Sequence, residues 1–289
     1  MEFMTQLMSG LAVGCIYALV AVGYSMIYRA MGLVNFAQAD IMMLGAFVGF
    51  SMLAVLPGLP FWMVIIGATV LTGAFGAVIE RVAYRPALKR NVDQIYLVML
   101  TLGIGIVLSN TALLIWGANP VVYAIPLTHQ IYTVAGYPFP AVYVYIAAVM
   151  PLMLIGLQLF FSKTWVGVAT RAAADDKETA SLMGVQVGRA SGVSFAIAAG
   201  TGALAGVLYA PISFVSYDMG VIGVKAIAAA VIGTLGSVPG AIIGGLIIGV
   251  GETVGSQMIA PQYMDSIAFV VMILILLVRP TGLMSKGAR

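Results

Sequence analysis

Runs of about twenty apolar residues, the length of helix that crosses a bilayer core, follow one another along this chain with few charges between them. In lipid such runs satisfy their backbone groups as helices, and the weak two-residue alternation of a membrane barrel is missing. Composition agrees: 62% of the 289 residues are apolar and 8% charged, where a soluble domain carries about 25% charged residues. The fold class expected is all-α, a polytopic membrane helix bundle forming one transmembrane domain over residues 1–289. The first apolar run lacks the basic flank and small-residue cleavage site of a secretory signal, so it is expected to stay as a span.

Hydropathy places spans near 7–28, 33–54, 61–80, 94–116, 142–162, 191–213 and 264–278, with a Gly-rich apolar region at 222–258. Basic residues gather in three places: Arg81, Arg85, Lys89 and Arg90; Lys163, Arg171, Lys177 and Arg189; and Arg279, Lys286 and Arg289. The connection 117–141 has none. By the positive-inside rule the three clusters are cytoplasmic and 117–141 is outside. Parity then requires 222–258 to cross twice, giving nine spans with the N-terminus out, or to form a re-entrant hairpin, giving seven.

Two regions read as helices interrupted at depth, "RAMGLVNFAQADIMMLGAF" and "GVKAIAAAVIGTLGSVPGAIIGGLIIGVGE". A turn signal follows in each, Pro57 to Pro60 or Pro239-Gly240, and then a small-residue helix ending in glutamate. Gly73, Gly76 and Glu80 match Gly244, Gly245, Gly249 and Glu252 in this way, with Gly233, Gly236 and Gly240 marking the second break. In the nine-span arrangement the two units run in opposite directions, the inverted repeat of many transporters. The same glycines, like Gly10, Gly14 and Ala18, also serve plain close helix packing.

Asn35, Gln38 and Asp40 fall within six positions at the head of the second span. A polar side chain at bilayer depth is costly and usually faces a bundle interior or an aqueous path. Alternatively, Asn35 caps the helix while Gln38 and Asp40 sit in its first turns near water. Both readings stay open from spacing alone. The remaining inventory is thin. One cysteine, Cys15, and one histidine, His129, leave no internal disulfide and no metal site. There is no Gly-x-x-x-x-Gly-Lys-Ser/Thr loop, His-Glu-x-x-His or Gly-x-Ser-x-Gly, so the chain is not expected to be an enzyme. The 18 methionines and 13 tyrosines read as lipid-facing filler and interfacial belt, and a net charge of +3 spread in this way does not indicate nucleic acid.

Residues 163–190 form the longest cytoplasmic connection. Within it "TRAAADDKETASLMG" reads as a short helix, with Arg171 and Asp175 at i,i+4 spacing, Gly184 placed to end it, and an apolar tip at Leu182 and Met183. It is a surface helix or one suited to dock in a partner's cleft.

"GLAVGCIYALVAVGYSMIY" followed by "LVNFAQADIMMLGAF" closely resembles the start of the permease subunit of branched-chain amino acid ABC importers of the leucine/isoleucine/valine type. "RAAADDKETASLMGV", "FAIAAGTGALAGVLYAP", "GTLGSVPGAIIGG" and "RPTGLM" extend the resemblance over nearly the whole chain. The resemblance implies a break at Asn-Phe-Ala lining the translocation path, with Asn35, Gln38 and Asp40 as pathway residues. It likewise implies a coupling segment resting on an ATPase subunit, with Arg171, Asp176, Glu178 and Gly184 matching the family's pattern. The family usually has Gly where this chain has Ala39 and often His where it has Gln38. Relatives with similar signatures handle urea, short amides and other small solutes, which stand as alternatives. The partners implied are a second homologous permease chain, two ATP-binding subunits and an extracytoplasmic solute-binding protein. ATP and Mg would then be held by those partners, with no cofactor in this chain, which would lie in the bacterial inner membrane. A stand-alone ion-coupled carrier would instead need charges buried at mid-depth; the candidates Arg29, Asp40, Lys225 and Glu252 are expected near span ends.

Overall fold

A computed structural model describes residues 2–284 except 91, 124, 126, 127, 129, 135, 136 and 259. His129, Lys286 and Arg289 lie outside the described residues. Among those described, the helices in chain order are α1 (Glu2–Met31), α2 (Gln38–Val55), α3 (Phe61–Ile79), a short α4 (Arg85–Lys89), α5 (Gln94–Trp116), α6 (Ala141–Lys163), α7 (Trp165–Asp175), α8 (Lys177–Leu182), α9 (Val187–Tyr209), α10 (Gly220–Gly233), α11 (Val238–Met258) and α12 (Met264–Val278). A π-helical turn, Glu80–Tyr84, joins α3 to α4. An antiparallel ribbon of Ile131–Val134 with Tyr137–Pro140 lies in the connection before α6. Seven helical stretches are long and apolar enough to span a bilayer, and α10 and α12 are shorter apolar helices. The chain is an all-α polytopic bundle.

The core is built on α1 and α9. Residues 16–22 of α1 and 198–208 of α9 are buried without interruption, so both helices are enclosed on every side, as a helix apolar all round must be. Small residues let the backbones meet. Gly45 of α2 sits on Ala203, Gly206 of α9 sits on the Met42 carbonyl, and Gly245 and Gly249 of α11 sit on Ala18 and Gly14 of α1. A Cβ at Gly73 would stand 3.0 Å from the Ala196 carbonyl oxygen, tighter than a packed helix pair tolerates without shifting.

The contacts repeat. α2 runs parallel to α9 and α3 antiparallel to it, as Gly202 against Gln38, Gly206 against Met42, Gly200 against Thr69 and Gly76 against Phe195 require. The other half reproduces this: α10 runs parallel to α1, and α11 antiparallel to both, as Gly233 against Gly240, Gly244 against Ala229 and Gly249 against Gly14 require. α5 leans on α2 as α12 leans on α10. The correspondence is imperfect, because α12 also packs broadly on α11 whereas α5 meets the α3 side mainly at the π-turn after it.

Region 222–258 forms two antiparallel helices, α10 and α11, joined by a turn. Val215, just before α10, pairs with Val121 in the 117–141 connection. The turn after α10 lies at the opposite end, with Gly236 beside Tyr28 and lining a cavity with Arg29 and Arg171. The "GSVPG" break is therefore an interhelical turn on the side of the basic clusters. Thr234 there has φ +84°, a left-handed conformation that a β-branched residue adopts only when held. Its Oγ1 donates to the Thr281 carbonyl at 3.0 Å, and the Leu283 N–H donates to the Ile232 carbonyl at 2.8 Å. The "RPTGLM" stretch thus fastens the turn.

Segment 163–190 departs from the single helix expected. Asp176 breaks it into α7 and α8: its side chain accepts from the N–H groups of Glu178 and Thr179 at 2.9 and 3.1 Å, as N-caps do. The i,i+4 pairing of Arg171 with Asp175 is replaced by a bond from Arg29 to Asp175 at 2.5 Å, which fastens α7 to the end of α1.

Candidate functional site

α1 ends at Gly32, whose φ of +79° needs a residue without a Cβ. The chain then turns back into the bundle. The Phe36 N–H donates to Thr101 Oγ1 at 3.3 Å, and Gln94 donates to the Gly32 carbonyl at 3.2 Å, so α5 holds the return. Asn35 is fully buried. Its Oδ1 accepts the Ala37 N–H at 3.2 Å and the Tyr84 hydroxyl at 2.8 Å. The π-turn delivers Tyr84, since the extra residue per turn rotates it toward α2. Asn35 therefore closes a turn ahead of α2 rather than capping it, since the N-cap is Ala37 with no side-chain cap bond, and it is also fixed from outside the turn by Tyr84.

Gln38 is equally buried, which removes the water expected beside it. Its Nε2 donates to the Ala198 carbonyl at 2.7 Å, and Ala198 lies halfway along α9, so α2 begins near mid-depth. Gly23 and Gly202 make room for the amide. Asn35 Nδ2 and Gln38 Oε1 are both buried without a hydrogen-bond partner. An unmade bond of this kind costs about 1–3 kcal/mol, and such atoms mark places where polar groups are kept for something besides stability. The first turn of α10 arrives here too, Gly223 lying against Ala39 and the Tyr24 hydroxyl. Two helix N-termini, each with a partial positive charge, converge beside these amides, although the Gln38 N–H at the start of α2 is already bonded to the Asn35 carbonyl at 3.1 Å.

Asp40 is not part of that cluster. It turns toward α5, where Ser109 Oγ donates to its Oδ1 at 2.6 Å, and it lines a shallow groove with Phe36, Ile106 and Asn110.

At the end of the bundle that carries the basic clusters, a cavity of about 370 Å³ opens between α1, α6, α7, α9 and the start of α11, with Ser25, Gln158, Thr170 and Ser194 among its polar lining. Arg171 lies at its rim. Asp176, Glu178 and Gly184 stand away from it, on exposed α8 and its end. The charged form of Asp176 is favoured by the bonds from Thr179, which hold the carboxyl below its usual range. Gly184, at φ +82°, ends α8: its N–H donates to Ser181 and that of Val185 to Ala180, both at 3.0 Å, a Schellman termination. Leu182 and Met183 are left 87% and 81% exposed. Of the break glycines, Gly233, Gly240 and Gly244 let α10 and α11 touch, Gly245 admits α1, and Gly236 supplies the positive φ of the turn.

Sequence reasoning missed Tyr84, Thr101 and Ser109, which anchor Asn35, Phe36 and Asp40. It paired Glu80 with Glu252 but gave neither a cation. Glu80 binds Arg85 at 2.7 Å, and Arg85 also donates to the Gly188 carbonyl at 2.5 Å, tying α4 to the start of α9. Glu252 binds Lys225, which also meets Asp265 at 2.7 Å. Both Lys225 and Glu252 are buried, where wet span ends were expected. The pairing of Lys225 and Glu252 at distant positions left no sequence signal.

Broken helices converging on buried amides inside a polytopic bundle, with a charged helix pair exposed at one end, define a membrane permease rather than a soluble binder. The family model described as "Branched-chain amino acid transport system / permease component" matches residues 6–276, and the chain belongs to that family. It is 36% identical over 299 residues to the high-affinity branched-chain amino acid transport system permease protein LivH of Escherichia coli (strain K12), covering 98% of this chain and 96% of that protein. BraD of Pseudomonas aeruginosa, with the same description, is 35% identical over 298 residues, covering 99% and 96%. A solved structure, PsaBC from Streptococcus pneumoniae in complex with Fab, superposes with a TM-score of 0.50 at 18% identity over 97% of this chain and 93% of that one; it speaks to fold alone. The chain is a multi-pass membrane protein of the permease kind.

Proposed function

We propose that residues 1–289 act as one permease domain of an ATP-driven importer that moves branched-chain or related hydrophobic amino acids across the bacterial inner membrane by alternating access. The observation that carries this is the near-full-length similarity to curated branched-chain permeases at 36% identity. Asn35 and Gln38 contribute to the path. Their unpaired amide atoms and the two converging helix N-termini suit transient contact with an ammonium or carboxylate, while the surrounding side chains suit an apolar one. The sequence holds no phosphate-binding loop, so hydrolysis belongs to two ATP-binding subunits, which carry ATP and Mg. Those subunits grip α7 and α8 at Leu182 and Met183, and Arg29 with Asp175 passes the movement to α1. A second permease chain and an extracytoplasmic binding protein complete the machine.

Purification and reconstitution test this. Copurification of ATPase subunits, with ATP hydrolysis stimulated at least severalfold by the binding protein loaded with leucine, is the expected result. Uptake by this chain alone, driven by an ion gradient, would refute it and would favour a carrier built on the buried Lys225 and Glu252. A binding protein that prefers urea or short amides would keep the machine and replace the solute.

A further inference from the structure

The cavity beneath Arg171 has an apolar part and a polar part. Its apolar walls are α6, through Leu154, Leu157 and Phe161, and the start of α11, through Val238 and Ile242. These two helices hardly touch each other. Ile155 and Leu159 beside one wall and Ile243 beside the other are exposed and apolar, so the slot between the walls is continuous with the lipid around the bundle. Ser25 lines the cavity from α1. It is fully buried, and its Oγ has no hydrogen-bond partner, an omission that a bound acceptor would make good. Of the two arginines in the lining, Arg29 is neutralised by Asp175 at 2.5 Å, while Arg171 has no anionic partner among the described residues. Depth follows from the turn between α6 and α7. Lys163 and Trp165, the latter 83% exposed, are residue types that settle at headgroup level. Leu157 and Leu154 then lie about 9 and 13 Å further in along α6.

We propose that this cavity binds one anionic phospholipid from the leaflet on the side of the basic clusters. Its phosphate accepts from the Arg171 guanidinium and from the N–H groups that Arg29 does not spend on Asp175. Ser25 stands four residues inside Arg29 on α1, about 6 Å deeper, where the ester carbonyl of a glycerophospholipid follows its phosphate; the Ser25 hydroxyl donates to that carbonyl. One acyl chain occupies the slot between Leu154, Leu157 and Ile242. The headgroup must carry net negative charge, because a zwitterionic one would bring a second cation up to Arg171. Basic pockets between transmembrane helices on this side suit such headgroups. Arg171 belongs to α7, so the lipid joins α6, α7 and α11 where the protein itself leaves a gap.

The test is photo-labelling of the full-length chain in phosphatidylcholine nanodiscs, with a trace of phosphatidylglycerol carrying a diazirine in one acyl chain. Mass spectrometry is expected to find adducts on the peptides holding Leu154, Leu157 and Ile242, and unlabelled phosphatidylglycerol should compete severalfold better than phosphatidylcholine. Arg171→Gln and Ser25→Ala should each lower this labelling severalfold, Arg171→Lys should retain much of it, and Ile242→Trp, which fills the slot, should abolish it. Labelling of the outward face of α12 at Ile273 and Leu274, which are exposed and apolar, should show no headgroup preference and stay constant in every variant, which separates loss of the site from loss of the fold. Equal competition by phosphatidylcholine would mean ordinary surrounding lipid and would overturn the proposal. So would a slot without adducts, or displacement by free leucine, which would make the cavity a site for a soluble carboxylate. None of these readouts depends on ATP or on the transported solute, so their failure leaves the importer reading standing.

Discussion

Lys225 and Glu252 show how much a single residue depends on what faces it. Removing one member of a buried pair strands the other, at about 3–5 kcal/mol, whereas replacing both with apolar residues is often neutral. Lys225→Met alone should therefore destabilise the protein by roughly that amount. Lys225→Met with Glu252→Leu should recover most of it, as measured by thermal unfolding in detergent. Equal loss in the single and double variants would show that the pair does not act as a unit. The identities of Asn35, Gln38 and Asp40 were legible as polar residues out of place, but their separation into two sites was not. Gln38 and Asp40 share a helix and differ in direction, so only the neighbours, Ala198 on one side and Ser109 on the other, assign them.

Among the elements, α8 gives the sharpest test. Asp176 accepts two backbone N–H bonds and the Thr179 hydroxyl, and its pKa is lowered. A lowered folded pKa means that the cap is in place above the unfolded value, about 3.9, and is lost as pH falls through the folded value below it. The protection of the Glu178 and Thr179 amides against hydrogen exchange, relative to the intrinsic rate at each pH, should persist at neutral pH and fall only as pH drops below about 4. In Asp176→Ala the protection should be lost throughout, and in Asp176→Asn, a comparable cap, it should hold at all these pH values. Exchange insensitive to the alanine substitution would remove the cap from the account. The sequence pointed to helix over 171–184 because Ala, Lys and Glu favour it. It did not point to the break, since Asp176 is an ordinary interior residue until the chain direction of α8 requires a cap.

For the whole molecule, the nine-crossing arrangement predicts sidedness. In a Cys15→Ser background, a cysteine at Val122 should react with an impermeant maleimide from outside intact cells, and one at Leu182 only after permeabilisation. Labelling of Leu182 from outside would invert the topology and end the coupling assignment. The sequence by itself determined that the chain spans the membrane as helices, because apolar run length is read by the bilayer one segment at a time, and its Lys/Arg placement set the sidedness expectation that the labelling tests. It also marked the two broken regions by their glycines and polar residues. Only the tertiary structure decided that α1 and α9 exchange roles between the two halves, that the π-turn brings Tyr84 to Asn35, and that Asp40 faces outward. Each of these depends on which distant helix lies alongside, and a hydropathy pattern with almost no amphipathic preference does not encode a facing direction.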